Sequence, residues 1–169
     1  MASRQFVGKV YVVDSENLST GIAHMIIRAI DMAKEGKRRN EIVNILEEMK
    51  YKVSTSFIAD NADYLYRTGR VSKTIKNICT LFRIHPILSV KNGKMTVKGI
   101  RIGNLEKCIL SYVKSELRRA DKIAKQRLFI SYSTCPVRII GKIKEQINAS
   151  CPFEEIWETR ASATITSNC

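Results

Sequence analysis

The sequence predicts a mixed α/β protein of the α+β type, a two-layer fold in which helices pack on a mixed β-sheet. Three observations carry that expectation. Short β-branched runs alternate with longer segments whose apolar residues recur at i, i+3 and i+4. An Asn-Gly pair at 92–93 separates two apolar runs, which is a hairpin signature, so the sheet holds an antiparallel pair beside any parallel ones. Hydrophobic residues make up 44% of 169 positions, enough for a real core in one domain.

Taken in order, Val10-Tyr11-Val12-Val13 is a continuous apolar run that suits a buried strand, and Asp14-Ser15 follows it. Asn17, Ser19 or Thr20 then caps a helix carrying Ile22, Met25, Ile26, Ala29, Ile30 and Ala33, which Gly36 stops. Arg38 or Asn40 begins the next helix, with Ile42, Ile45, Leu46 and Met49 on one face. A strand through Val53, Thr55, Phe57 and Ile58 comes next. Asp60 or Asn61 caps a short helix ending at Gly69, and Ser72 caps another that runs to about Ile84. His85 precedes a proline and is therefore extended. Ile87 to Val90 and Met95 to Val97 are the arms of the hairpin. A long helix runs from Leu105 to about Lys125, burying Leu105, Cys108, Ile109, Tyr112, Val113 and Leu117. Leu128 to Tyr132 is a strand. Pro136 opens a helix with Ile139, Ile140, Ile143 and Ile147, and Ile156-Trp157 and Ala163-Thr164-Ile165 give the last strands.

The net charge of +13 admits nucleic acid, an anionic membrane or an acidic protein as partner without choosing among them. The basic residues are spread over most helices, with no helix-turn-helix, RNP pattern or aromatic-interleaved strand among them. A basic nucleic-acid- or polyanion-binding module is therefore the second reading. No run reaches the roughly 18 apolar residues of a membrane-spanning helix. The segment MASRQFVGK has no apolar core of the signal-peptide kind, so a cytoplasmic location is expected. Five cysteines without a CxxC pair read as reduced thiols and give no zinc or other metal site. No cofactor motif and no catalytic constellation is found. His24 and His85 read as structural, no serine sits in a GxSxG elbow, and Gly36-Lys37 lacks the rest of a P-loop.

The turn Tyr64-Leu65-Tyr66-Arg67-Thr68-Gly69-Arg70-Val71-Ser72 is more specific. Glycine frees the backbone where one helix ends, and the next begins with free N–H groups that favour an anion. Arg67 and Arg70 flank the turn, and apolar residues on either side can enclose a long alkyl chain. A plain helix–helix connection with two solvated arginines fits the same residues.

At this turn the sequence resembles the DegV family of bacterial fatty-acid-binding proteins. Val10 to Ser15 (VYVVDS) is similar to an internal strand of the family ending in Asp-Ser, and Leu18-Ser19-Thr20-Gly21 to the start of the helix after it. Ala33 to Lys37 with Glu41-Ile42 resembles a helix junction. Thr68-Gly69-Arg70-Val71-Ser72 stands where the family has Gly-Gly-Arg-Ile-Ser. Ile84-His85-Pro86-Ile87-Leu88 and Asn92-Gly93 resemble I-K-P-I-L…D-G. Members are two-domain proteins of nearly twice this length. Their opening strand and the Ser/Thr-rich loop that holds the carboxylate do not precede Val10, and Asn168 stands where a His is common. The resemblance thus implies that residues 1–169 are a DegV-like C-terminal lipid-binding portion, without the opening part of the N-terminal α/β domain. It implies a non-enzymatic carrier of long-chain fatty acid, working with a fatty-acid kinase and touching membrane only transiently. Phe57, Ile58, Leu65, Ile75, Ile78 and Phe82 are the expected lining. Arg70 is expected near the acid end or a partner interface, beside Ser72 at the anion-favouring helix start. Exposed apolar surface could also drive homo-oligomerisation.

Overall fold

A computed structural model describes residues 9–69, 71–118 and 122–162. The elements are α1 (Thr20–Lys34), α2 (Arg39–Met49), β1 (Thr55–Ile58), α3 (Asp63–Arg67), α4 (Lys73–Leu81), β2 (Ile84–Lys91), β3 (Lys94–Ile102), α5 (Leu105–Leu117), β4 (Arg127–Tyr132), α6 (Val137–Ser150) and β5 (Glu155–Arg160). The mixed α/β class is as predicted. The strands fall into a three-stranded sheet of order β1-β2-β3 and a two-stranded sheet of β4 and β5. The chain divides into two compact units. The first holds the described residues up to Ser56 together with Ser89–Thr96; the second holds Phe57–Leu88 and those from Val97 onward.

In the first unit α1 and α2 form a helical hairpin. Gly36, at φ +79, terminates α1: its N–H donates to Ala33 O at 3.1 Å and that of Lys37 to Met32 O at 3.0 Å, satisfying carbonyls that would otherwise lack a partner. The Arg38 N–H donates to the Glu41 carboxylate at 2.8 Å, so α2 starts with one orphan donor satisfied. The core is Met25, Met32 and Leu46, packed by Val13, Ala29, Ile42, Ile45, Met49 and Val53. The hairpin tip has Asn92 at φ +50 and Gly93 at φ +70, the left-handed pair that a type I′ turn requires.

Two expectations fail in this unit. Val10-Tyr11-Val12-Val13 forms no strand; Val10, Tyr11 and Val12 are exposed and only Val13 reaches the core. A buried strand needs a ladder partner, and no other described segment pairs with this one. The α1 stripe is also only half used. Met25 is buried and Ala29 packs against the core, whereas Ile22, Ile26, Ile30 and Ala33 stay exposed, and Met32, which the expected stripe omits, is fully buried. Ser19 does hold the N-cap position of α1, but its side chain makes no capping bond.

In the second unit β4 and β5 are parallel, with Arg127 opposite Glu155 and Tyr132 opposite Arg160, and α6 is the crossover between them. The predicted isoleucines of α6 are all buried. Ile139, Ile143, Ile147, Leu117 and Cys151 form the core, with Ile109, Val113, Leu128, Ile130 and Ile156 against it. Helix α5 ends at Leu117, well before the expected Lys125. Leu117 is its last core-facing residue. Beyond it, Arg118 and Lys122 would be like charges one turn apart on a continued helix. Helix α4 likewise ends at Leu81, and Ile84 already belongs to β2. The expected strand at 163–165 lies outside the described residues.

Candidate functional site

The second unit presents the predicted turn as a helical hairpin. The Asn61 side chain accepts from the Asp63 N–H at 2.9 Å and starts α3. After α3 the N–H of Gly69, at φ +71, donates to Tyr66 O at 2.9 Å, and that of Val71 to Leu65 O at 3.2 Å. Ser72 caps α4 as predicted, its hydroxyl accepting from the Ile75 N–H at 3.3 Å. That hydroxyl still has a proton to donate. Lys76 locks the two helices together: its ammonium is 3.0 Å from Asp63 Oδ1 and 5.6 Å from the centre of the Tyr66 ring.

The side chains of α4 then sort themselves. Cys79 faces inward, and burial pushes its thiol pKa up. Ile75, Ile78 and Phe82, at i, i+3 and i+7, share a face and are 48%, 45% and 59% exposed. Leu81 beside them is 76% exposed and is not among the expected lining residues. An apolar arc this open is unusual on a short helix, because burial of that arc is what normally stabilises it.

Of the predicted residues, the structure thus gathers Ile75, Ile78 and Phe82 on one exposed face, with Ser72 at the start of their helix. Leu65 is buried beneath the surface. Phe57 and Ile58 are half-buried neighbours on β1, which sends them to opposite sides of the strand. Arg70 lies outside the described residues. Two shallow hollows lie elsewhere. One is lined by Tyr11, Arg38, Arg39 and Asn40, the other by Leu110, Ser111, Lys114, Gln146 and Ser150; neither includes a predicted lining residue. Among the described residues no three His, Cys, Asp or Glu side chains gather as a metal site would need, and no helix is long and apolar enough to cross a membrane.

Fold and surface together define a mixed α/β protein with an open apolar helix face. The chain belongs to the DegV family: the family model described as "Uncharacterised protein, DegV family" matches residues 1–169. A DegV domain-containing protein of Clostridium acetobutylicum is 34% identical over 109 residues, covering 63% of this chain and 39% of that protein. One from Clostridium perfringens is 28% identical over 147 residues, 87% of this chain and 50% of that protein. Among solved structures, a DegV family protein from Thermus thermophilus described by its fatty acid binding has a TM-score of 0.77 at 24% identity, over 99% of this chain and 59% of its own. One from Eubacterium eligens loaded with heptadecanoic acid has a TM-score of 0.80 at 20% identity, over 99% and 62%. The Fatty Acid Kinase (Fak) B3 protein of Streptococcus pneumoniae loaded with linoleic acid has a TM-score of 0.79 at 18% identity, over 98% and 58%. The chain therefore spans half or less of these curated relatives and about three fifths of these solved chains.

Proposed function

We propose that this chain binds long-chain fatty acid without catalysing a reaction on it, and supplies the apolar wall for the acyl tail. The observation that supports this reading best is the face of α4, where Ile75, Ile78 and Phe82 stay about half exposed in a fold shared with proteins loaded with heptadecanoic and linoleic acids. Phe57, Ile58 and Leu65 complete the proposed wall. An acyl chain laid along it gains about 0.8 kcal/mol for each CH₂ taken fully out of water, so tail contact alone gives useful affinity. Ser72 stands at the anion-favouring start of α4, and the basic residue two positions before it in the sequence, Arg70, is proposed for the acid end or a partner. In the cell the chain would act in the cytoplasm as a carrier presenting the acid to a fatty-acid kinase. A second copy could cover the exposed apolar surface.

Native mass spectrometry of the purified chain tests this directly. The expected spectrum carries mass increments of a long-chain acid. A folded chain that carries none, and does not bind an added fluorescent long-chain acid, overturns the reading. Steeply salt-dependent retention on a polyanion column would instead favour the basic-module reading.

A further inference from the structure

His85 does more than fill space. Its ring is buried, with the residue 6% exposed, and both nitrogens meet backbone carbonyls. Nδ1 lies 2.5 Å from Asp60 O and Nε2 lies 3.0 Å from Gly103 O. A carbonyl oxygen can only accept, and a neutral imidazole has a single N–H to give. Both contacts are hydrogen bonds only when the ring carries a proton on each nitrogen. The Asp60 carboxylate lies 3.8 Å from Nδ1.

We infer that His85 is a protonation-dependent tie between the loop at Asp60 and the turn at Gly103. The charged ring holds both; the neutral ring can hold only one and must release the other. What it holds is strategic. The Ala59 N–H donates to Pro86 O at 2.9 Å, and the chain then passes through Asp60 to Asn61, the cap of α3. Gly103, at φ +111, donates its own N–H to Arg83 O at 3.0 Å, immediately before α5. The tie therefore fixes where the α3–α4 hairpin begins. The other charged groups on the surrounding elements are committed or distant in role. Asp63 pairs with Lys76, and Glu106 with Arg138 and Lys142. Arg101 donates to the Ser111 and Ser115 hydroxyls, while Arg83 and Lys107 are exposed.

The test is nitrogen-15 NMR and hydrogen exchange on the full chain from about pH 5 to about pH 8, across the imidazole range. The ring of His85, assigned through His85→Gln, should be doubly protonated at the acid end. Its loss of a proton should move the Gly103 and Asn61 amides with the same midpoint. Protection of the α3 amides, corrected for intrinsic exchange, should fall about ten-fold or more, as expected for one lost charged hydrogen bond. His85→Lys, whose amine keeps N–H donors in either protonation state, should flatten the pH dependence, and His85→Gln should show the high-pH behaviour throughout. The inference is overturned by a ring that keeps one N–H, or both, over the whole range. It is equally overturned by a ring that titrates without moving those amides, or by His85→Lys following the wild-type curve.

Discussion

The double substitution Ile78→Ser with Phe82→Ser separates a binding face from a structural one. Both side chains are already about half in solvent, so the change should cost about 1 kcal/mol each in stability, half of what full burial is worth. For a chain of this size that is a melting-point drop of roughly 4–8 °C in all. Binding should suffer more than that modest loss implies. The two residues stand one helical turn apart, about 6 Å along the axis, the length of roughly four methylenes. A single wall covers about half of the surface of those methylenes, so the loss is about 1.6 kcal/mol, or roughly 15-fold in affinity. Titration with a fluorescent long-chain acid, beside thermal melts of the same samples, reads both quantities. An affinity within two-fold of the parent refutes the acyl wall. A melting point lowered by far more than the burial allows refutes the open face itself.

Ile147→Ala removes a buried side chain from the second core and should cost about 2–5 kcal/mol, measured by urea unfolding followed through Trp157, the sole tryptophan. Gly93→Ala meets no atom nearer than 3.9 Å, so its cost is that of a left-handed residue alone, about 1–2 kcal/mol in a thermal melt; no shift would mean the turn is not type I′. The Arg138 guanidinium, and then the Lys142 ammonium, hold the Glu106 carboxyl down to about 2. A lowered carboxyl contributes stability in full above the ordinary carboxylate range and loses it as pH falls toward about 2. Glu106→Gln should therefore flatten that acid limb of a stability–pH profile and leave its neutral shape alone.

Where local chemistry decided the outcome, the sequence was readable. The isoleucines of α6 have one possible inner face, Asn92-Gly93 supplies the two positive φ angles a type I′ turn needs, and Ser72 is a good acceptor at a helix start. Where distant partners decided it, the sequence was silent. The apolar arc of α1 names its candidates equally, but of them only Met25 and Ala29 reach the core with α2, and Met32, outside the expected stripe, is buried there as well. Val10 to Val13 has strand composition and no described strand beside it. The same limit applies to the candidate site. The periodicity of α4 marked Ile75, Ile78 and Phe82 as apolar without revealing that they face outward. The carbonyls around His85 come from residues 25 and 18 positions away.

Sulfur is spread through both interiors: Met25 and Met32 in the first unit, Cys79, Cys108 and Cys151 in the second. Each unit thus contains its own internal clock. Peroxide reaches a buried thioether, and an alkylating agent a buried thiol, only while the surrounding structure is open. The rates at which the methionines oxidise and the cysteines alkylate would time the opening of each unit separately, in one sample of unmodified protein.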